Sequence, residues 1–180
     1  MNILYKSILV ASLTACIANA NAIETATGGY IGVGFGKVDI DTETFDDPTG
    51  FELIGGYKFN DNLAIEVSYV DFGEASDNEP PEWKITANSL AVGVVGIAPI
   101  TEQFEVFGKI GFHSWDIEFK ESGFGILAED DGSDIFYSLG ANYKVNNQFS
   151  LGVSYSNYTL EPEGEDEDIT LLSLNGKYYF

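Results

Sequence analysis

Apolar and polar residues alternate with a period of two along most of the chain after residue 28. The pattern is clear at residues 63–72, where large apolar residues such as Val67 alternate with small or acidic ones such as Glu66. Successive side chains of a β-strand point to opposite faces, so this period predicts a strand. The polar turn at residues 60–62 joins it to a similar run at residues 51–59, and together they predict a β-hairpin.

Eight runs of this kind follow one another in a single predicted domain, residues 23–180. They cover residues 29–38, 51–59, 63–72, 84–98, 104–119, 135–145, 149–158 and 169–180. No segment has a helical period, and no apolar run reaches the length of a membrane helix. The fold class predicted from this pattern is all-β.

The connections between the runs alternate between short and long. Three are short, at residues 60–62, 99–103 and 146–148, whereas four are long and acidic, at residues 39–50, 73–81, 121–133 and 159–168. Short turns at one end and long loops at the other are typical of an eight-stranded antiparallel up-and-down transmembrane β-barrel, with periplasmic turns and extracellular loops.

The second face of each run decides between a soluble barrel and a membrane barrel. A soluble barrel with an apolar interior needs a charged exterior, but here the face opposite the large apolar residues carries mainly Gly, Ser, Ala and Asn. Small polar side chains suit the narrow interior of an eight-stranded barrel, and a face of Ile, Val, Leu, Phe and Tyr suits lipid. The membrane barrel is therefore favoured.

The first 22 residues have the pattern of a secretory signal peptide. Lys6 precedes an apolar stretch, and Ala20-Asn21-Ala22 fits a cleavage site. A rival interpretation is that Leu13-Thr14-Ala15-Cys16 is a lipoprotein processing site at which Cys16 is lipidated. Both interpretations export the protein from the cytoplasm.

The composition narrows the classes of partner and site. The 180-residue chain has a formal net charge of -21, from 29 acidic and 8 basic residues, which argues against nucleic acid as a partner. Its one cysteine leaves no internal disulfide and no cysteine-based metal site. The spacing of Asp39, Asp41 and Glu43 is similar to that of a calcium loop, but Thr44 stands where the glycine is needed. No metal site and no cofactor are predicted.

The stretch GGYKFNDNLAIEVSYVDFG, residues 55–73, resembles the second hairpin of the OmpA-like eight-stranded outer-membrane barrels. Further similarities lie at residues 96–100, 107–111 and 139–145, and at the aromatic end Tyr178-Tyr179-Phe180. The resemblance covers the barrel only, without the peptidoglycan-binding domain of larger members. It implies that Tyr178 and Phe180 form the signal recognised by the outer-membrane assembly machinery.

The resemblance also implies an interior polar network. Glu66 matches an acidic position of the family and Lys109 a basic one, whereas Asn142 and Ser154 replace acids and Tyr179 stands where an arginine is common. These five residues are the expected lining of the lumen, with a network thinner than is usual. The Glu66–Lys109 pair has two interpretations: the residues neutralise each other and fill the lumen, or they line a small channel.

His113 and Ser114 are the one pair that suggests an enzyme. Adjacent strand residues point to opposite faces, so they cannot form a catalytic dyad without a bulge, and no nucleophile motif accompanies them. No catalytic residue is therefore predicted. The acidic runs at residues 129–131 and 161–168 are expected to be solvated loops, with weak binding of divalent cations or cationic surface ligands as the alternative.

The function expected from these observations is that of a structural and surface-interaction protein of the bacterial outer membrane. Its expected partners are outer-membrane lipids and lipopolysaccharide, the assembly machinery, and a host or surface ligand at the acidic loops. A small porin-like channel for ions or small solutes is the alternative.

Overall fold

The structure is a computed structural model, and it describes residues 27–40, 47–76, 83–121, 125–160 and 167–180. The predicted signal peptide at residues 1–22, with Cys16, lies outside the described residues. The same holds for residues 41–46, 77–82, 122–124 and 161–166, which, apart from residue 82, belong to the four predicted acidic connections.

Every described element is a β-strand. The strands are β1 (Gly28–Ile40), β2 (Thr49–Asn60), β3 (Leu63–Ser76), β4 (Trp83–Pro99), β5 (Phe104–Glu121), β6 (Gly125–Lys144), β7 (Phe149–Leu160) and β8 (Glu167–Tyr179). Each strand pairs antiparallel with its neighbours in sequence, and β1 also pairs with β8, so the sheet closes into a barrel. The predicted fold class is confirmed. Within the described ranges, no helix is long and apolar enough to cross a membrane.

The alternation in sequence becomes an alternation between the two faces of the barrel wall. On β3, Glu66 is 2% exposed and the next residue, Val67, is 47% exposed. In the half of the barrel toward the short turns, large apolar side chains such as Ile110 and Leu174 point outward, while serine, asparagine and charged side chains point inward. This inverts the arrangement of a soluble barrel and leaves an exterior that suits hydrocarbon.

The two ends of the barrel carry different connections, and three of the four at one end are longer than any at the other; the exception, between β5 and β6, is residues 122–124. At the turn end, short connections join β2 to β3, β4 to β5 and β6 to β7. The opposite end is called the loop end. Backbone N–H groups stabilise the turns by donating hydrogen bonds to side-chain oxygens: Asn62 donates to Asn60, Phe104 to Thr101 and Phe149 to Asn146.

The prediction of a long loop at residues 121–133 was wrong. β5 continues to Glu121 and β6 begins at Gly125, so Glu129, Asp130 and Asp131 lie on a strand. The apolar alternation that marks a strand stops there because this segment rises above the apolar belt, where both faces carry polar residues. Without that periodicity, the acidic Glu-Asp-Asp-Gly sequence has the composition of a turn.

The barrel interior has two layers. The layer toward the turn end holds most of the buried charged side chains together with a small apolar cluster that includes Tyr30, Ile54 and Phe107. The layer toward the loop end is apolar and contains, among others, Phe72, Trp115, Phe136, Tyr158 and Leu171. We call these the ionic layer and the apolar layer.

Candidate functional site

Glu66 lies at the centre of the ionic layer. Its carboxylate accepts hydrogen bonds from Lys109 Nζ at 2.5 Å, from Lys177 Nζ at 2.8 Å and from the hydroxyl of Tyr30 at 2.9 Å. Lys109 also lies 3.7 Å from Glu52 Oε1, so two buried carboxylates face two buried ammonium groups. Each charge therefore has a partner of opposite sign, which a buried ion requires.

A second ionic group surrounds Glu105 at the turn end. Its carboxylate lies 3.2 Å from Lys144 Nζ and 3.8 Å from Lys58 Nζ, and it accepts a hydrogen bond of 3.1 Å from the amide of Asn142. Lys58 and Glu105 are each at most 2% exposed, whereas the Lys144 side chain is 22% exposed. Lys144 therefore joins the buried group to the solvent at this end.

The five residues proposed from sequence for the lumen lie in this interior. Lys109 contacts Glu66, and Asn142 contacts Glu105. Ser154 shares a 2.9 Å hydrogen bond with Ser173. The ring of Tyr179 lies 5.2 Å from that of Tyr30, and its hydroxyl accepts a bond of 3.5 Å from Ser150.

Sequence reasoning missed four charged residues of this layer: Glu52, Lys58, Glu105 and Lys177. All four are at most 6% exposed. Each stands between two outward-facing positions of its strand, as Lys177 does between Gly176 and Tyr178. Because every second residue of a strand points to the same face, assigning inward positions along each strand would have found all four. The expected thin network, based on a single ion pair, was wrong: the basic partner on the last strand is Lys177, two residues before Tyr179 and on the same face.

The two aromatic residues proposed as the assembly signal lie on the outer face at the turn end. The ring of Tyr178 is 4.9 Å from that of Phe149 and 6.4 Å from that of Phe180, which is 71% exposed. They belong to a group of outward aromatic side chains at this end of the barrel that also includes Tyr57 and Phe59.

His113 and Ser114 point to opposite faces of β5. Ser114 is exposed and bonds to Ser133 at 2.8 Å, whereas His113 is buried, with Nδ1 2.9 Å from Ser89 Oγ and Nε2 2.9 Å from the carbonyl oxygen of Thr159. A carbonyl only accepts, so Nε2 carries a proton, and in the neutral ring Nδ1 accepts from Ser89. Ser89 is 0% exposed and His113 2%, so the serine that His113 contacts is buried beside it in the interior.

The apolar layer lies directly above the ionic layer. The rings of Phe136 and Tyr158 are stacked with their centroids 5.3 Å apart, and Phe72 meets Tyr158 edge-on at 5.1 Å. The Nζ of Lys109 lies 5.6 Å from the centroid of Phe136, which brings the two layers into contact. Among the described residues, no group of three or more His, Cys, Asp or Glu side chains is arranged to hold a metal ion.

A closed antiparallel barrel with an apolar exterior and a charged interior defines the class of outer-membrane β-barrels. The sequence matches the family model described as outer membrane protein beta-barrel domain over residues 8–180, and the chain belongs to that family. Membership places the protein in the bacterial outer membrane. No curated protein matches the sequence.

Solved structures of the same fold are distant in sequence. The crystal structure of Neisserial surface protein A (NspA) is 15% identical, with a TM-score of 0.69, covering 87% of this chain and 100% of that one. Ail of Yersinia pestis, in complex with the heparin analogue sucrose octasulfate, is 20% identical, with a TM-score of 0.58 and coverage of 86% and 97%. The outer membrane enzyme PagL is 14% identical, with a TM-score of 0.50 and coverage of 84% and 99%. The fold alone therefore does not decide between a binding protein and an enzyme.

Proposed function

We propose that this protein is a non-conducting, non-enzymatic outer-membrane barrel that presents an acidic surface to ligands outside the cell. The observation that carries the proposal is the stacking of an apolar layer on a charge-neutralised ionic layer inside one narrow barrel. An eight-stranded barrel leaves room for little more than its own side chains.

The order of the two layers supports a closed lumen. An ion that entered from the turn end would meet Glu66, Lys109 and Lys177, which already bond to one another. Beyond them it would have to leave its hydration shell among Phe136, Tyr158 and Phe72, which offer no charge of opposite sign. Dehydrating an ion in such a setting costs several kcal/mol or more.

A small porin-like channel is the competing function, and one feature favours it. The side-chain oxygens of Asn142 and Asn175 are buried without a hydrogen-bond partner among the described residues. Unsatisfied buried oxygens of this kind are commonly bonded to water, and a chain of waters is the first requirement of a polar path.

The charge distribution supports a cationic ligand. The formal net charge is -21, and four of the chain's 8 basic residues, Lys58, Lys109, Lys144 and Lys177, belong to the interior ionic groups. The same groups hold three acidic residues, Glu52, Glu66 and Glu105, so the interior is nearly neutral and almost all of the acidic excess belongs to the rest of the chain. The heparin analogue bound by Ail is a polyanion, and a surface of this charge would repel such a ligand.

The proposal includes a route of export and assembly that uses segments at the two ends of the chain. In our proposal residues 1–22 are a cleaved signal peptide, both ends of the barrel domain face the periplasm, and the assembly machinery recognises Tyr178 and Phe180. The acidic loop end then faces outward, beside lipopolysaccharide. Mass spectrometry of the mature N-terminus distinguishes cleavage after Ala22 from lipidation at Cys16.

Single-channel recording in planar bilayers tests the closed lumen. We expect no stable current steps from the purified, folded protein, whereas a porin-like channel gives discrete steps under the same conditions. A second experiment tests the sign of the ligand's charge. We expect the folded protein to be retained on immobilised polylysine but not on immobilised heparin. Retention on heparin alone would contradict the proposed surface function.

A further inference from the structure

The carboxyl group of Glu105 contacts a primary amine through one oxygen and a primary amide through the other. Oε2 lies 3.8 Å from Nζ of Lys58, and Oε1 accepts a 3.1 Å hydrogen bond from Nδ2 of Asn142. The three residues are between 1% and 3% exposed. A buried amine, a buried amide and a carboxyl group that contacts both are the two reactants and the acid–base catalyst of an amide exchange.

Three strands bring these groups together. Glu105 on β5 is directly opposite Asn142 on β6 in the strand pairing, so the register of the two strands fixes that contact. Lys58 reaches them from β2, which lies four strands from β6 in either direction around the closed barrel. A covalent bond between Lys58 and Asn142 would therefore cross the lumen at its turn end.

Lys58 is the more weakly held of the two lysines that contact Glu105. Its 3.8 Å contact is longer than a hydrogen bond, whereas Nζ of Lys144 lies 3.2 Å from the same oxygen. The Lys144 side chain is 22% exposed, so solvent stabilises its charge, but Lys58 is only 2% exposed. Burial without a close counter-ion disfavours the charged form of an amine, and the uncharged form is the nucleophile. Lys58 is thus the amine that gives up its proton to Glu105.

The amide of Asn142 is oriented for the loss of its nitrogen. Nδ2 donates to Glu105, the group that can protonate it, and Oδ1 has no hydrogen-bond partner among the described residues. Asn175 is a useful contrast, because it is also buried with an unpartnered oxygen. Its Nδ2, however, donates to the hydroxyl of Ser154 at 3.4 Å, and a hydroxyl is a far weaker acid than a carboxyl group.

We propose that Lys58 and Asn142 join in an intramolecular isopeptide bond, with Glu105 as the catalytic acid and base. Glu105 takes a proton from the ammonium of Lys58, and the lone pair of Nζ forms a bond to Cγ of Asn142 while the C=O π pair moves to Oδ1. When that pair returns, the Cγ–Nδ2 bond breaks and its electrons leave with the nitrogen. Two protons pass from Nζ to the leaving nitrogen through Glu105. One C–N bond forms, one breaks, and one ammonium ion is released, with no change of oxidation state.

The reaction balances the charges of the interior. The two ionic groups hold four lysines but three glutamates, and Glu105 alone faces both Lys58 and Lys144. Once Lys58 becomes an amide, Glu105 pairs with Lys144 only, and three buried carboxylates face three ammonium groups. The ammonium ion leaves past Lys144, the member of this group that reaches solvent. A buried charge without a partner is costly, so the reaction relieves that cost.

The test compares the mass of the chain before and after folding. The protein is produced as unfolded inclusion bodies, refolded in lipid vesicles and weighed intact by mass spectrometry. We expect the folded chain to be lighter than the unfolded chain by about 17 Da, the mass of ammonia. Trypsin does not cut after an acylated lysine, so digestion should give one branched peptide that joins residues 38–84 to residues 121–144. A folded protein of unchanged mass overturns the inference.

Variants identify the reacting groups, and heat-modifiable migration on a gel confirms that each variant is folded before it is weighed. Lys58→Met should lose no mass on folding. Glu105→Gln keeps the shape of the side chain but removes the acid and base, and it should slow the loss about 100-fold or more. Two controls should still lose the full mass: Lys144→Gln, which removes the other ammonium at Glu105, and Asn175→Ser, which removes the amide without a carboxyl partner.

Two results would assign the loss of ammonia to different chemistry and overturn the inference. A loss that persists in Lys58→Met would show that an asparagine has closed on its own backbone as a cyclic imide, as Asn175 before Gly176 can do. A branched peptide that maps to Lys144 would make that lysine the nucleophile. The inference goes beyond the proposed surface function and does not depend on it, because the link lies at the turn end and the ligand is expected at the loop end.

Discussion

Lys177, on the last strand, donates a 2.8 Å hydrogen bond to Glu66, on the third, across 111 positions of sequence. The bond crosses the barrel interior and ties β8, which closes the sheet against β1, to a strand near the start of the chain. Glu66 is thus shared between Lys109 and Lys177, so the ionic layer stabilises the closure of the barrel as well as filling its interior.

Glu66→Gln is expected to lower the free energy of unfolding by about 3–5 kcal/mol, because it leaves two buried ammonium groups without their shared carboxylate. The change is nearly isosteric, so a packing defect does not account for the loss. Urea unfolding in lipid vesicles measures the change in the free energy of unfolding. The control is Lys37→Gln on the outer face, which should change stability by less than about 0.5 kcal/mol; equal effects would contradict the role of the ionic layer.

Gly56→Ala is expected to destabilise the barrel by about 1–3 kcal/mol, because an added Cβ would meet the ring of Tyr30, with Cε2 at 2.6 Å. Tyr30 would then lose its bond to Glu66. The neighbouring Gly55→Ala is the matched control, since a Cβ there has nothing within 4 Å. The two variants are compared by their midpoints of thermal unfolding, which are read from the shift between the folded and unfolded bands on a gel. A larger loss at Gly55 would refute the assignment of faces.

Removing the stacked rings of Phe136 and Tyr158 is expected to raise the conductance of the barrel more than removing the carboxylate of Glu66. In planar bilayers, Glu66→Ala alone should stay silent, whereas Glu66→Ala combined with Phe136→Ala and Tyr158→Ala should give measurable current. The reason is that the apolar layer remains a barrier to hydrated ions when the ionic layer is loosened. Current steps from Glu66→Ala alone would show that the ionic layer is the gate and would favour the porin-like function.

His113→Phe is expected to lower stability by about 1–3 kcal/mol, because Ser89 and the Thr159 carbonyl both lose a buried partner. Hydrogen exchange of β7 amides near Thr159 should accelerate. Ser114→Ala, on the outer face of the same strand, should leave stability and exchange unchanged. A lipid-hydrolysis assay should give no activity for the parent protein or either variant; hydrolysis that disappears with His113 would make the protein an enzyme.

The sequence determined the strands of the membrane region and the face that each side chain takes. Alternation at residues 63–72 required Val67 and Glu66 to lie on opposite faces, and short turns at one end required neighbouring strands to be antiparallel. These properties depend on near neighbours in the chain, so periodicity and turn chemistry were sufficient to predict them.

The tertiary structure decided which inward-facing residues meet. The alternation of faces along a strand is enough to place Glu52, Lys58, Glu105 and Lys177 inside the barrel. Which of them contact one another depends on the stagger between strands, which no local sequence pattern encodes. The length of β6 also had to come from the structure, because residues 129–134 carry polar or small side chains on both faces and the strand signal disappears there. The contact between His113 and a carbonyl oxygen of β7, 46 positions away in sequence, likewise depends on how the strands are staggered.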